Sequence, residues 1–339
     1  MRLRFLLRAM LVALALCTTV APTLSAQTPA ETPKPKAKAK APPKRPEPTV
    51  ANYKYGDQSE RQVFDFWKAE SDQPTPVVLL IHGGGWRGGD KSSYGTSVIE
   101  AYRKNGISVA AVNYRFIEQA MAQKIEPPVM APLHDAARAL QTIRSKAKDW
   151  NIDPTRIGAT GGSAGACTSL WLALHDNLAN PSSKDPIDRE SSRLTCAAVS
   201  GAQTSLDPKE LREWMPNAIY GGHAFGFAAP GRTRPEEFDL LIENREKVLP
   251  WIKEYSPIEL VTKDDAPIYL DYPNQKQPPV VGTSEADPTH SAIYGLKLAE
   301  KLKATGVEGV LAYPGGPKND YGSPTNFLIT KLKAPAVTK

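Results

Sequence analysis

The sequence predicts an α/β fold with a mostly parallel central sheet and helices on both faces. Three observations carry that prediction. Strand-like and helix-like stretches alternate from residue 50 onward. The run Val77-Val78-Leu79-Leu80-Ile81 is apolar and partly β-branched, which suits a strand buried on both faces. Gly161-Gly162-Ser163-Ala164-Gly165 follows the run Arg156 to Thr160 and precedes an Ala/Leu-rich helical stretch, so that a serine stands at a strand-to-helix bend.

Ahead of that domain lie two segments of different composition. In residues 1–26, Arg2, Arg4 and Arg8 form a basic start, Ala9 to Cys17 a short apolar run, and Ser25-Ala26 a cleavage point. This is the pattern of a secretory signal. The apolar run is too short to span a membrane, and Leu16 is not the small residue that a lipoprotein signal places before its Cys. Export by a bacterium, to the periplasm or beyond, is therefore expected. Residues 27–49 hold seven Pro, six Lys or Arg and two Glu, the composition of an extended disordered linker. A basic tether for an anionic envelope surface is the second reading of the same stretch. The chain carries a net charge of +6, of which the signal supplies +3 and the linker +4, leaving −1 for residues 50–339. Nucleic acid is thus not an expected partner.

Within residues 50–339, long enough for one large domain with a filled core, each element has its own signal. After the 77–81 strand, Ser92 to Asn105 reads as a helix and Ile107 to Val112 as the next strand. Residues 131–149 place Pro132 in the first turn and apolar residues at 133, 136, 137, 140 and 143, which is helical spacing. A helix from the serine bend to about Asn177 and a strand from Leu194 to Val199 follow. Residues 203–263 break the alternation with Trp214, Tyr220, Phe225, Phe227, Trp251 and Tyr255 among many prolines. This insertion is either a cap-like segment over the strand ends, shaping a pocket, or a surface excursion packed on its own aromatics. Alternation resumes with a strand at Ile268 to Tyr272, a helix from about Ser291 to Thr305 closed by Gly306, and a strand at Val307 to Tyr313. Ser323-Pro324 then opens a last helix over 324–333. Cys167 and Cys196 are read as two buried thiols, with a disulfide as the alternative.

The chemistry is concentrated in two motifs. His82-Gly83-Gly84-Gly85-Trp86 directly follows the 77–81 strand, and its glycines leave backbone N–H groups uncovered, able to stabilise a developing oxyanion. The Gly-x-Ser-x-Gly bend forces its serine into a tight, exposed turn. Together with Gly88-Gly89-Asp90-Lys91, Val112-Asn113-Tyr114-Arg115 and Asn151-Ile152-Asp153-Pro154, these segments resemble the α/β-hydrolase fold. The likeness is to its esterase branch with an HGGG oxyanion motif, which includes bacterial carbohydrate esterases and hormone-sensitive-lipase-like enzymes. It is dense from about residue 75 to 175. It implies that Ser163 is the nucleophile, that the N–H groups of Gly84, Gly85 and Ala164 form the oxyanion hole, and that His82 braces the glycine loop. It also implies a substrate carrying short, acetyl-like esters on carbohydrate. No metal and no organic cofactor is implied, because there is no clustered His/Cys/Asp set and no phosphate-cradling glycine loop.

The base departs from the pattern. The fold places an Asp and a His after late strands, yet the chain from Pro314 to Tyr321 has no His and none of the five histidines lies beyond residue 290. A serine hydroxyl needs a base within hydrogen-bonding distance. His82 belongs to the glycine loop, His134 to a helix, and His175 to the far part of the helix after Ser163. His223 reaches the site only if the insertion folds inward. His290, in Glu285-Ala286-Asp287-Pro288-Thr289-His290, is the strongest candidate, with Asp287 as its acid, since triads are defined by mutual position and not by chain order. The alternative is that His290 merely opens the following helix. The leading reading is an exported serine esterase. The competing ones are a degenerate hydrolase that binds saccharide or peptide without turnover, and a peptidase on the same fold.

Overall fold

The computed structural model describes residues 45–334. The expected signal over 1–26 and the linker up to residue 44 lie outside the described residues. The last residues of the expected linker, 45–49, touch the folded domain. The Arg45 guanidinium donates to Asp65 Oδ2 at 3.2 Å and lies 4.5 Å over the Trp67 ring, while Trp67 Nε1 donates to the Pro46 carbonyl at 2.8 Å.

The first half of the chain forms β1 (Val50–Lys54), β2 (Val63–Trp67), β3 (Thr75–Ile81), α1 (Thr96–Arg103), β4 (Ser108–Val112), α2 (Ile117–Ala122), α3 (Met130–Ser145) and α4 (Ala147–Trp150). Then come β5 (Ile152–Gly162), α5 (Ala164–Leu174), β6 (Cys196–Ser200), α6 (Pro208–Trp214), α7 (Arg234–Glu243) and α8 (Arg245–Tyr255). The last elements are β7 (Ile268–Asp271), α9 (Ala292–Thr305), β8 (Gly309–Ala312) and α10 (Pro324–Lys333). All the strands join one sheet in the order β1-β2-β4-β3-β5-β6-β7-β8, parallel from β4 to β8 and antiparallel across β1, β2 and β4. This is the α/β-hydrolase architecture expected from the motifs.

Strand β3 is fully buried, as its unbroken apolar run requires. Each of its Val, Leu and Ile side chains contributes about 1.5–3 kcal/mol by leaving water. The chain passes from β3 to β4 on one side and from β4 to β5 on the other, so the strand order reverses at β3. Ligands bind outside the carboxyl ends of strands at such a reversal. The register keeps those ends level: Ile81 is opposite Gly161, Gly162 opposite Ser200, and Ser200 opposite Asp271.

One face of the sheet is covered by α1 and α10, through Ile99, Tyr102, Phe327 and Leu332. The larger core on the other face takes α3, α5, α9 and the 203–263 segment. Tyr220, Phe225, Phe238 and Tyr255 of that segment join the main core instead of packing only on each other. Cys167 belongs to one face and Cys196 to the other, which keeps both as free buried thiols and removes the disulfide alternative.

The differences from expectation are local. The 92–105 helix is shorter, beginning at Thr96 after a 3₁₀ turn at Lys91–Ser93. The 131–149 helix is interrupted at Lys146, and the helix after Ser163 ends at Leu174 instead of Asn177. Strands β1 and β2 and helix α2 carried no expectation.

Candidate active site

Ser163 sits between β5 and α5 with φ 54° and ψ −123°, a strained conformation for a residue with a side chain. Its surroundings enforce the bend. A Cβ on Gly161 would lie 2.5 Å from the Ile81 carbonyl oxygen, and one on Gly165 only 2.0 Å from the same atom. Only glycine fits at either position while β3 runs this close to the bend. The Ser163 amide donates to the Ser200 carbonyl at 3.0 Å, which ties the bend to β6.

The glycine loop leaves β3 beside this bend. Gly84, Gly85 and Trp86 have successive positive φ values of 104°, 61° and 55°. The strained Trp86 is held at three points: its Nε1 donates to Thr168 Oγ1 at 3.0 Å, its carbonyl accepts from the Ile117 amide at 2.9 Å, and its ring is wholly buried. His82 stacks on Tyr114 with ring centroids 4.3 Å apart, and the Tyr114 hydroxyl donates to the His82 carbonyl at 2.7 Å. Burial lowers the His82 pKa, so a neutral ring braces the loop. Among the described residues the amides of Gly84 and Gly85 donate to no protein acceptor. The Ala164 amide opens α5, where N–H groups lack intrahelical partners. These donors are therefore available to a ligand.

Asp287 and His290 arrive from the loop after β7. Asp287 organises that loop by accepting from the Thr289 amide at 3.1 Å through Oδ1. The Gln203 side chain donates to the Thr289 carbonyl at 2.6 Å, and Gln275 accepts from the Ala292 amide at 2.9 Å. Ser291, not His290, caps α9, its hydroxyl accepting from the Ile293 amide. With the loop so held, His290 Nδ1 lies 2.8 Å from Asp287 Oδ2 and Nε2 lies 3.0 Å from Ser163 Oγ. A carboxylate at Nδ1 keeps the ring proton there and leaves Nε2 free to accept from the serine hydroxyl. Burial alone would raise the Asp287 pKa. The hydrogen bond and charge of His290, with the amides of Thr289 and His290, outweigh burial and hold the carboxyl below its ordinary range.

The other histidines are engaged elsewhere. His175 Nε2 lies 2.8 Å from Glu254 Oε1, and His134 packs on Trp171 with ring centroids 5.3 Å apart. His223 does fold inward, against Trp86 and near Gly85, but makes no hydrogen bond to Ser163. Residue-level reading missed Gln203 and Thr168, which hold the two loops. The polar run Gln203-Thr204-Ser205 after a buried strand was a signal for the first; Thr168, inside an apolar helix, gave none.

A family model described as BD-FAE matches residues 65–281, well over half of the chain. The chain belongs to the BD-FAE family. The BD-FAE match includes the glycine loop and Ser163 and ends just before Asp287 and His290. A curated relative, gut esterase 1 of Caenorhabditis elegans, is 30% identical over 149 residues, covering 43% of this BD-FAE chain. The matched stretch amounts to 26% of that relative's length. Among solved structures, a truncated carbohydrate esterase from gut microbiota is similar at a TM-score of 0.59 and 18% identity, with 83% of this chain and 94% of that one covered. The acetyl ester-xyloside bifunctional hydrolase of Caldicellulosiruptor lactoaceticus is similar at a TM-score of 0.54 and 23% identity, with 77% and 79% covered.

Proposed function

We propose that this BD-FAE chain is an exported bacterial serine hydrolase that cleaves carboxylic esters, with short, acetyl-like acyl groups on carbohydrate as its substrates. One observation carries the reading: the Asp287–His290–Ser163 chain of contacts at 2.8 and 3.0 Å. It supports turnover over a binding role without turnover, for which the absence of a His between Pro314 and Tyr321 is the argument. The carbohydrate preference is supported by the two solved structures named above, and export by the composition of residues 1–26.

In this mechanism His290 Nε2 takes the Ser163 proton as Oγ attacks the ester carbonyl carbon. Asp287 offsets the positive charge that forms on the imidazole. The carbonyl oxygen becomes an oxyanion held by the amides of Gly84, Gly85 and Ala164, in an arrangement already set before substrate arrives. Protonated His290 passes its proton to the alcohol oxygen as the C–O bond breaks, leaving the acyl group on Ser163. Water, deprotonated by His290, repeats the sequence and releases the acid.

The test is hydrolysis of 4-nitrophenyl acetate and labelling by a fluorophosphonate, for the wild type, Ser163→Ala and His290→Ala. Labelling is expected to vanish in Ser163→Ala, and kcat to fall about 10³-fold or more in His290→Ala. An inert, unlabelled wild type overturns the reading. Full activity in His290→Ala moves the base to another residue.

A further inference from the structure

Native proteins leave few buried polar atoms without a hydrogen-bond partner, and those that remain call for an explanation. Among the described residues Tyr220 Oη, His223 Nε2 and Tyr294 Oη are three such atoms, on side chains at most 5% exposed. His223 lies beside the glycine loop of the proposed acyl-transfer site, with Tyr220 packed against it. The Tyr220 and His223 rings meet edge-on with centroids 4.8 Å apart, and they pack on Trp86 at 6.3 and 5.9 Å. His223 Nε2 is 3.7 Å from where a Cβ on Gly85 would stand, so no side chain separates the imidazole from the glycine loop. Burial, then the neighbouring Cys167 thiol and Tyr294 hydroxyl, raise the Tyr220 pKa and keep its hydroxyl protonated. The Cys167 amide itself bonds the Ser163 carbonyl at 2.9 Å. Burial, then the Arg234 and Arg87 cations, push the His223 pKa down to about 3. Both groups are thus neutral: the Tyr220 hydroxyl can donate, and His223 Nε2 donates in the tautomer that carries the ring proton there.

Stereochemistry says which part of an ester meets them. Three of the four substituents on the tetrahedral carbon are assigned by the proposed mechanism: Ser163 Oγ, the oxyanion on the glycine loop, and the leaving oxygen beside His290. His290 packs against Gly201, on the side where Gln203 anchors its loop. The remaining substituent is the acyl chain, which takes neither the loop amides nor the His290 side; beyond Gly85 the unpartnered polar atoms are His223 Nε2 and, packed against it, Tyr220 Oη. We propose that Tyr220 and His223 are specificity residues on the acyl side, donating to an oxygen carried on a short acyl chain one or two atoms from the carbonyl. The inference rests on the esterase reading of Ser163. It makes the enzyme select oxygen-substituted short acyl groups over alkyl groups of the same size.

The test compares 4-nitrophenyl methoxyacetate with 4-nitrophenyl butyrate, in which an ether oxygen replaces one methylene. Each kcat/KM is divided by the rate constant of the same ester with hydroxide, which removes intrinsic reactivity. The wild type is expected to favour methoxyacetate by about tenfold after that correction, the worth of one buried hydrogen bond. The ratio is expected to fall toward 1 in Tyr220→Phe, which removes one oxygen atom, with a thermal melt to verify that the variant is folded. A wild-type ratio of 1, which needs no variant, overturns the inference alone. So does a ratio unchanged in folded Tyr220→Phe, or selectivity that follows the leaving group instead of the acyl chain. No turnover of either ester, with no fluorophosphonate labelling, overturns the esterase reading and this inference with it.

Discussion

His290 Nε2 approaches Ser163 Oγ to 3.0 Å although 127 residues separate them in sequence. The sheet register makes this possible. Gly162, Ser200 and Asp271 lie opposite one another on β5, β6 and β7, so the loop after β7 starts level with the serine bend, two strands away. Chain between Tyr272 and Ser291 then reaches back across the strand ends. A base delivered from the same loop as its acid needs no His after β8.

Asp287 tests that geometry. An Asn at 287 keeps the shape but offers no charge and can hold the His290 ring with its proton on the wrong nitrogen. The Asp287 side chain is 55% exposed, so solvent already screens part of its effect. Asp287→Asn is expected to lower kcat for a short-chain ester by roughly 10³-fold, less than a fully buried acid would. A loss below threefold in steady-state kinetics would place the acid elsewhere.

Gly165 carries a different expectation. A methyl group there would stand 2.0 Å from the Ile81 carbonyl oxygen, a backbone atom fixed by the sheet. Gly165→Ala should cost about 3 kcal/mol or more in urea unfolding, since β3 or the bend must move. Gly306→Ala is the control: φ there is 78° with open space around the Cβ position, so only the left-handed backbone is penalised, by about 1–2 kcal/mol. Equal costs for the two variants would show that β3 does not confine the bend.

These cases also show which features are legible in a sequence. The α10 boundaries were readable because Ser323-Pro324 carries its own start signal, and the end of α9 because Gly306 takes a left-handed cap. The serine bend was readable because sterics allow so few residue types beside it. Strand β1 was not, since an edge strand with mostly exposed residues has no alternating pattern. The candidate base was narrowed by elimination, but its contact with Ser163 depends on register and on Gln203, Gln275 and Ser291 holding a long loop. Register has no local signature, and neither the polar run at Gln203 nor the helix start at Ser291 tells which loop it holds. The insertion offered aromatics without a period, and its joining of the main core is a tertiary outcome.

Asp135 had no legible role beside His134, yet it holds the strand end next to the glycine loop. Its carboxylate pairs with the Arg115 guanidinium at 2.7 Å and accepts from the Arg115 amide at 2.9 Å and Gln62 Nε2 at 2.8 Å. Both side chains are at least nine-tenths buried. Asp135→Ala would leave a buried cation and two buried donors unpaired, and is expected to destabilise the fold by about 3–5 kcal/mol in chemical denaturation. A cost under 1 kcal/mol would mean that water reaches Arg115 and replaces the carboxylate.

His223 predicts how stability responds to acid. An unfolded chain binds a proton at this residue near pH 6.5, whereas in the folded protein burial, then Arg234 and Arg87, hold the pKa at about 3. Above pH 6.5 both states are neutral here and the residue contributes no slope. Between those two values the unfolded state carries one more proton, so stability falls on acidification by about 1.4 kcal/mol per pH unit from this residue alone. Below pH 3 both states are protonated and the slope ends. His223→Gln removes the titration while leaving His82 and His134, whose pKa values burial also lowers, in place. Urea unfolding at pH 7, 6, 5 and 4 should therefore show the wild type losing ground to His223→Gln by that slope below pH 6.5. A stability difference constant across the range would mean that His223 is hydrated in the folded state, and that its ring nitrogen does not meet the glycine loop in an environment free of water.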